Sequence, residues 1–171
     1  MTNIAINGFL GRMGQSIFNE SANHNDIKIT IGCDTDDMIK SSTNTFNLPL
    51  TTDISQNHDL FDVVIDFSLP DPSISTIQKC ILIKKPITIG TTGYNNNQLE
   101  HINVASKQIP ILLAPNMSHG VNVSLKSLAL MSKNLRGYDI LIKEVHHKNK
   151  VDSPSGTALR LGESVAKSSG R

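Results

Sequence analysis

The run His146-His147-Lys148-Asn149-Lys150 puts two imidazoles and two ammonium groups in one short stretch, and Ser155-Gly156-Thr157 follows a few residues on. Lysine supplies positive charge, and histidine near neutral pH can donate, accept or carry a proton. Ser-Gly-Thr reads as the start of a helix, whose first N–H groups lack partners within the helix and attract anions. A carboxylate held by those N–H groups on one side and by basic side chains on the other is the chemistry such a loop could do. The same composition fits a solvated basic loop. Ser155 could also be a plain N-cap, with or without an anion bound. Metal binding is not expected, because adjacent residues of an extended chain face opposite ways, so His146 and His147 do not easily share one ion. His24, His58, His101 and His119 stand alone and read as surface.

A second candidate lies near the N-terminus. Gly8-Phe9-Leu10-Gly11-Arg12-Met13-Gly14 has the form G-x-x-G-x-x-G, follows an apolar run and opens a helical stretch. Glycines there allow a tight turn and let a diphosphate approach the backbone. The free N–H groups of the following helix then face the phosphates, and Arg12 adds a cation. Asp34 comes twenty positions after Gly14, at the tip of the next strand. A carboxylate there accepts hydrogen bonds from ribose hydroxyls. Thr35 is neutral, and Asp34 would repel a 2′-phosphate, so the reading leans to NADH over NADPH. The plainer alternative is a tight strand-to-helix turn with no ligand. Gly90-Thr91-Thr92-Gly93 and Ala114-Pro115-Asn116-Met117 each end a strand. In an open parallel sheet such ends line the ligand crevice.

These residues need a frame to hold them. Ile4–Ile6, Ile27–Cys33, Val63–Phe67, Ile87–Ile89 and Ile109–Ala114 read as short strands. Helices are expected from Arg12 to about Asn23, Asp53 to Leu60, Pro70 to about Lys84 and Asn97 to Lys107. The polar stretch from Asp36 to Thr52 reads as a loop. Gly120 to Asn134 reads as a long helix ended by Gly137, Tyr138 to Val145 as a further strand and Thr157 to Lys167 as a last helix. Alternating strands and helices predict a Rossmann-type α/β fold, a doubly wound parallel sheet, followed by the start of an α+β domain.

Composition narrows the classes. A chain of 171 residues with 38% hydrophobic and 18% charged residues can bury a core and is not a disordered sequence. A net charge of +1, low aromatic content and no Trp argue against a nucleic-acid binder. Cys33 and Cys80 sit in apolar runs and read as reduced, buried thiols. No apolar run reaches membrane-span length, and the first residues do not form a signal peptide, so a cytoplasmic protein is expected.

Together, Gly8 to Gly14, Asp66-Phe67-Ser68, Gly90-Thr91-Thr92-Gly93, Asn116-Met117-Ser118 with Gly120-Val121-Asn122, and Glu144 to Leu159 resemble the dihydrodipicolinate reductase family. That family reduces 4-hydroxy-tetrahydrodipicolinate, a cyclic dicarboxylate, in lysine and diaminopimelate biosynthesis. The resemblance implies that His146 donates or accepts a proton and that Lys150 donates one. It implies that His147, Gly156 and Thr157 bind substrate carboxylates. It implies that Gly8, Phe9, Leu10, Gly11, Arg12, Met13, Asp34, Gly90, Thr91, Thr92, Ala114, Pro115, Asn116 and Met117 bind NADH or NADPH. Residues 1–117 would form the dinucleotide-binding domain and 118–171 part of the substrate-binding domain. Pro115 and Met117 depart from residues common in the family, as does Thr35. Family members continue past Arg171 and form homotetramers. The expected alternative is therefore a truncated homologue that binds nucleotide without turnover.

Overall fold

Isoleucine and valine dominate the segments that become strands, as suits strands covered on both faces. The computed structural model describes residues 1–43, 46–114, 116–146 and 153–170. His147, Lys150 and Pro115 therefore lie outside the described residues. The chain divides into two compact units, Met1–Pro115 and Asn116–Arg171.

The first unit is a parallel sheet of six strands: β1 (Thr2–Asn7), β2 (Ile27–Cys33), β3 (Leu50–Thr51), β4 (Val63–Asp66), β5 (Ile87–Ile89) and β6 (Ile111–Leu113). Their order is β3-β2-β1-β4-β5-β6. The strand order reverses direction between β1 and β4, and such a reversal opens a crevice at the carboxyl ends of the strands. Helices α1 (Arg12–Ser21), α2 (Asp36–Ser41), α3 (Pro70–Ile83) and α4 (Asn96–Ala105) connect the strands, with a 3₁₀ segment at Ile54–Leu60.

Local chemistry sets the helix ends. Pro70 begins α3, where its missing N–H costs nothing, and Lys84 closes it in a left-handed conformation. A reciprocal capping box of Asn95 and Gln98 starts α4. Asp53 caps the 3₁₀ segment through the Ser55 amide.

The two sheet faces bury separate clusters. Ala5, Ile31, Val64, Ile87 and Ile89 pack with Ile77, Cys80 and Ile102. Ile4, Ile6 and Ile29 pack with Phe9 and Leu10 and, more peripherally, Ile17 and Phe18. A bulge explains how Ile29 and Ile31 face opposite ways although two residues apart. Ile4 pairs with Ile29 and Ala5 with Ile31, which leaves Thr30 as the extra residue. Phe9, Phe18 and Phe46 meet edge to face, with ring centroids 4.9–5.4 Å apart.

The structure corrects the expected loop from Asp36 to Thr52, which contains α2 and β3. Thr35 caps α2, Asp36 and Asp37 occupy its first turn, and Asp36 pairs with Lys40 one turn on. β3 is only two residues long and exists by pairing with Gly32 and Cys33 of β2.

The second unit contains α5 (His119–Asn134) and α6 (Gly156–Ser169), which pack on each other. Ser118 caps α5 and Ser155 caps α6. The expected strand from Tyr138 to Val145 is not formed, since no ladder among the described residues includes this stretch. The apolar run Ile140-Leu141-Ile142 suits a strand, but a strand is defined by a neighbour to pair with. Among the described residues, no helix is long and apolar enough to cross a membrane.

Candidate functional site

The glycine turn joins β1 to α1 at the reversal point of the sheet. Gly8 has φ +77°, and a Cβ there would lie 2.3 Å from the carbonyl oxygen of Phe67. A Cβ on Gly14 would lie 2.4 Å from the carbonyl oxygen of Gly8. Backbone packs against backbone at both places, so only glycine fits. Gly11 occupies the N-cap of α1, and no side chain caps that helix. The first turn therefore presents N–H groups to an incoming anion.

The structure divides the turn's other residues by what they reach. Phe9 and Leu10 are buried in the core, so only their backbone belongs to the crevice. Phe9 N–H donates to the Cys33 carbonyl at 3.1 Å. Leu10 N–H donates to one oxygen of Asp34 at 2.8 Å, and Thr35 N–H donates to the other at 2.9 Å. Asp34 thus locks the turn to the tip of β2 and keeps spare lone pairs on both oxygens. Arg12 and Met13 are exposed on the first turn of α1.

A cleft of about 430 Å³ opens beside these residues, lined by Gly8, Gly11, Asp34 and Thr35 and by Leu69, Thr76 and Lys79 across it. Its size suits a small-molecule or cofactor site. Lys79 pairs with Asp53 at 3.2 Å. Partial burial pulls the Asp53 carboxyl up, but the Ser55 hydroxyl and amide and the Lys79 ammonium outweigh it and hold its pKa below the ordinary value. Cys33, also in the wall, is pushed up to about 11 by burial, and Cys80 to about 12, which leaves both as unreactive thiols.

The strand ends of β1, β4 and β5 are joined by a buried network that residue spacing did not reveal. Asp66 is fully buried at the end of β4. Its Oδ1 accepts from Asn7 Nδ2 at 2.6 Å and from Ser68 Oγ at 2.7 Å, and its Oδ2 accepts from Thr91 Oγ at 2.7 Å. Thr91 Oγ in turn accepts from Ser68 N–H at 2.9 Å. The Thr91 hydroxyl, expected to meet a ligand, is spent inside the protein, whereas Thr92 is exposed. Gly90 N–H donates to the Asp66 carbonyl and Ala114 N–H to that of Ile89, so both continue the strand ends. The only advance signal was the Asp66-Phe67-Ser68 string itself.

The second unit holds its own cluster. Asn116 Oδ1 accepts from Ser118 N–H at 2.8 Å, ahead of α5, and Met117 is exposed. Gly156 and Thr157 are exposed in the first turn of α6. Ser155 Oγ accepts from Ala158 N–H at 3.0 Å, which is the helix cap. Glu144 Oε1 accepts from Ser155 N–H at 2.8 Å, and its Oε2 accepts from Ser155 Oγ–H at 2.5 Å. His146 Nε2 lies 2.7 Å from the same Oε2. Among the described residues, no group of His, Cys, Asp and Glu has the arrangement of a metal site.

Glu144 is the residue the sequence reading passed over. A signal existed, because residues two apart on an extended chain share a side. The Ser155 hydroxyl, then His146, then the Ser155 amide pull the Glu144 carboxyl from an ordinary 4.5 down to about 2. A depressed pKa contributes stability above the unfolded value, lost as pH falls through the folded one. The downfield shift of the Ser155 amide proton, followed by NMR, is therefore expected to survive below pH 4.5 and collapse near pH 2. A midpoint at 4.5 would show that Glu144 does not grip the cap.

The comparisons agree along the chain. The family described as "Dihydrodipicolinate reductase, N-terminus" matches residues 2–117, and "Dihydrodipicolinate reductase, C-terminus" matches residues 120–171. A 4-hydroxy-tetrahydrodipicolinate reductase of Buchnera aphidicola subsp. Cinara cedri (strain Cc) is 40% identical over 98% of this chain and 65% of its own length. The chain thus spans just under two thirds of that relative. A dipicolinate-bound dihydrodipicolinate reductase from Paenisporosarcina sp. TG-14 shares the fold with a TM-score of 0.78 at 22% identity, over 98% of this chain and 66% of that one. GenD2 from gentamicin A biosynthesis, in complex with NAD, shares it with a TM-score of 0.60 at 11% identity, over 75% of this chain and 39% of that one. With one description covering the sheet and its glycine turn and the other covering α5, Glu144, His146 and α6, the chain belongs to the dihydrodipicolinate reductase family.

Proposed function

We propose that this chain binds a reduced nicotinamide dinucleotide on the glycine turn and reduces 4-hydroxy-tetrahydrodipicolinate to tetrahydrodipicolinate. The observation that carries this reading is the uncapped start of α1 behind glycines that admit no Cβ, in a chain of this family. Residues 1–117 form the dinucleotide-binding part and 118–171 the substrate-binding part. When bound, the reduced nicotinamide supplies the hydride. The chain's own residues hold the partners and handle protons, while water leaves the substrate.

The N–H groups of α1 and Arg12 hold the diphosphate, and Asp34 takes the ribose hydroxyls. Gly90, Thr92 and the segment Ala114, Pro115, Asn116 and Met117 flank the nicotinamide end, with Thr91 acting through the Asp66 network. Asp36 and Asp37 follow Thr35, and Asp53 offsets Lys79. That acidic surrounding disfavours a 2′-phosphate, so NADH is the preferred cofactor. His147, Gly156 and Thr157 bind the substrate's carboxylates, and His146 and Lys150 carry protons. Homotetramer formation and a cytoplasmic location belong to the same reading.

The test is direct. Purified chain, NADH and freshly generated 4-hydroxy-tetrahydrodipicolinate are mixed, and absorbance of the reduced nicotinamide is followed. Consumption is expected, and slower consumption with NADPH. NADH binding without consumption would leave a nucleotide-binding module instead. Lys150→Ala is expected to lower turnover by about 10²-fold or more, the ordinary worth of a proton-transfer group, with NADH affinity unchanged. Equal losses in both would remove Lys150 from its assigned role.

A further inference from the structure

Both oxygens of Glu144 are occupied, and by two different parts of the second unit. Oε1 takes the Ser155 N–H, while Oε2 takes the Ser155 hydroxyl and faces Nε2 of His146. Ser155 lies eleven residues further along the chain and caps α6. One carboxylate therefore ties an imidazole to the first turn of a helix. Among the described residues, no lysine or arginine is paired with Glu144. Among the described residues, its negative charge is directed at the ring and the cap.

We infer that Glu144 is a positioning residue that acts through His146, engaging Nε2 so that Nδ1 is the nitrogen presented for proton transfer, and fixing the ring against the start of α6. The inference rests on the proton-carrying role proposed for His146. Its physical content is a tautomer. An ionised carboxylate only accepts hydrogen bonds, so at 2.7 Å it requires hydrogen on Nε2. The neutral ring then has its lone pair on Nδ1, and that atom takes up and releases the mobile proton. The carboxyl stays ionised well into the acid range, because the Ser155 hydroxyl, His146 and the Ser155 amide all favour its charge. A carboxylate orienting a catalytic histidine by this means acts chiefly on turnover.

The test uses the whole chain and two readouts. Long-range ¹H–¹⁵N correlation spectra report which imidazole nitrogen carries hydrogen in the neutral ring, with His146 assigned by its loss in His146→Gln. The wild-type chain is expected to hold the Nε2–H form. In Glu144→Gln the side-chain amide can accept the Ser155 N–H through its oxygen, which turns its NH₂ toward the ring and favours the Nδ1–H form. Glu144→Asp keeps an acceptor there and is expected to restore the Nε2–H form. In turnover assays Glu144→Gln is expected to lower kcat by at least about tenfold with the KM for NADH little changed, and Glu144→Asp to recover part of the loss.

An Nδ1–H form in the wild-type chain overturns the proposal, and does so without any variant that must fold. So does an unchanged tautomer in Glu144→Gln, or a changed tautomer with unchanged kcat. If the chain consumes no NADH, the reaction proposed above fails, while the tautomer measurement still decides whether Glu144 sets the hydrogen on the His146 ring.

Discussion

Gly8→Ala is expected to abolish dinucleotide binding and to cost the first unit about 3 kcal/mol of stability, from a left-handed backbone and a forced backbone shift together. The methyl group would meet the Phe67 carbonyl oxygen at 2.3 Å, and φ is +77°. Backbone is the obstacle, so no rotamer change relieves it. The carbonyl belongs to the chain just after β4, beside Ser68, so the shift spreads into the strand ends. Gly11→Ala offers a measured contrast. Its Cβ would sit 3.2 Å from the Gly8 oxygen, a tight contact that a few tenths of an ångström relieve. Thermal melts and NADH fluorescence titrations on both variants read the difference. A Gly8→Ala chain that melts and binds like wild type would mean that the turn is not the nucleotide cradle.

Asp66→Ala is expected to cost about 3–5 kcal/mol, the usual penalty for removing one partner from a buried polar set. Asn7 Nδ2 and the hydroxyls of Ser68 and Thr91 all lose the Asp66 acceptor at once, and only longer contacts remain to Asn7 and Ser68. The burial of Asp66 is complete, so water does not replace it readily. The same carboxylate links the ends of β1 and β4 to Thr91, two residues beyond β5, at the carboxyl ends of the strands. Cofactor affinity is therefore expected to fall along with stability. Asp66→Asn keeps the shape and one acceptor oxygen, and its loss should be smaller by denaturant melts. Equal stability of Asp66→Ala and wild type would show that the network carries no weight.

How legible these sites were depends on how local their causes are. The turn Gly8 to Gly14 and the strand Ile27–Cys33 are written in short runs, and both emerged as expected. Asp34 at the strand tip followed from spacing alone. The Asp66 network joins Asn7 and Asp66 across 59 residues, and no local pattern encodes such a meeting. α2 and β3 hid within a polar stretch because one is six residues and the other two. The support of α2 is a local cap and an i,i+4 ion pair, too short a signal to stand out in a polar run, and that of β3 is two bridges to β2. The opposite failure came at Tyr138 to Val145, where the apolar run Ile140-Leu141-Ile142 fits a strand but no ladder among the described residues includes it. Glu144 was overlooked because its role depends on Ser155, eleven residues away, as much as on its neighbour His146.

Phe9 belongs to the glycine turn by sequence and to the core by position. Its ring meets those of Phe18 and Phe46 edge to face, each contact worth roughly 1 kcal/mol beyond simple burial. The loop between Gly8 and Gly11 is thereby pegged from below. Its conformational entropy is surrendered when the sheet and α1 come together, and almost none remains to be lost when a ligand arrives. Association then needs no rearrangement of the loop and becomes a matter of encounter and orientation. The buried ring of Phe9 thus sets the shape in which the turn would meet a ligand.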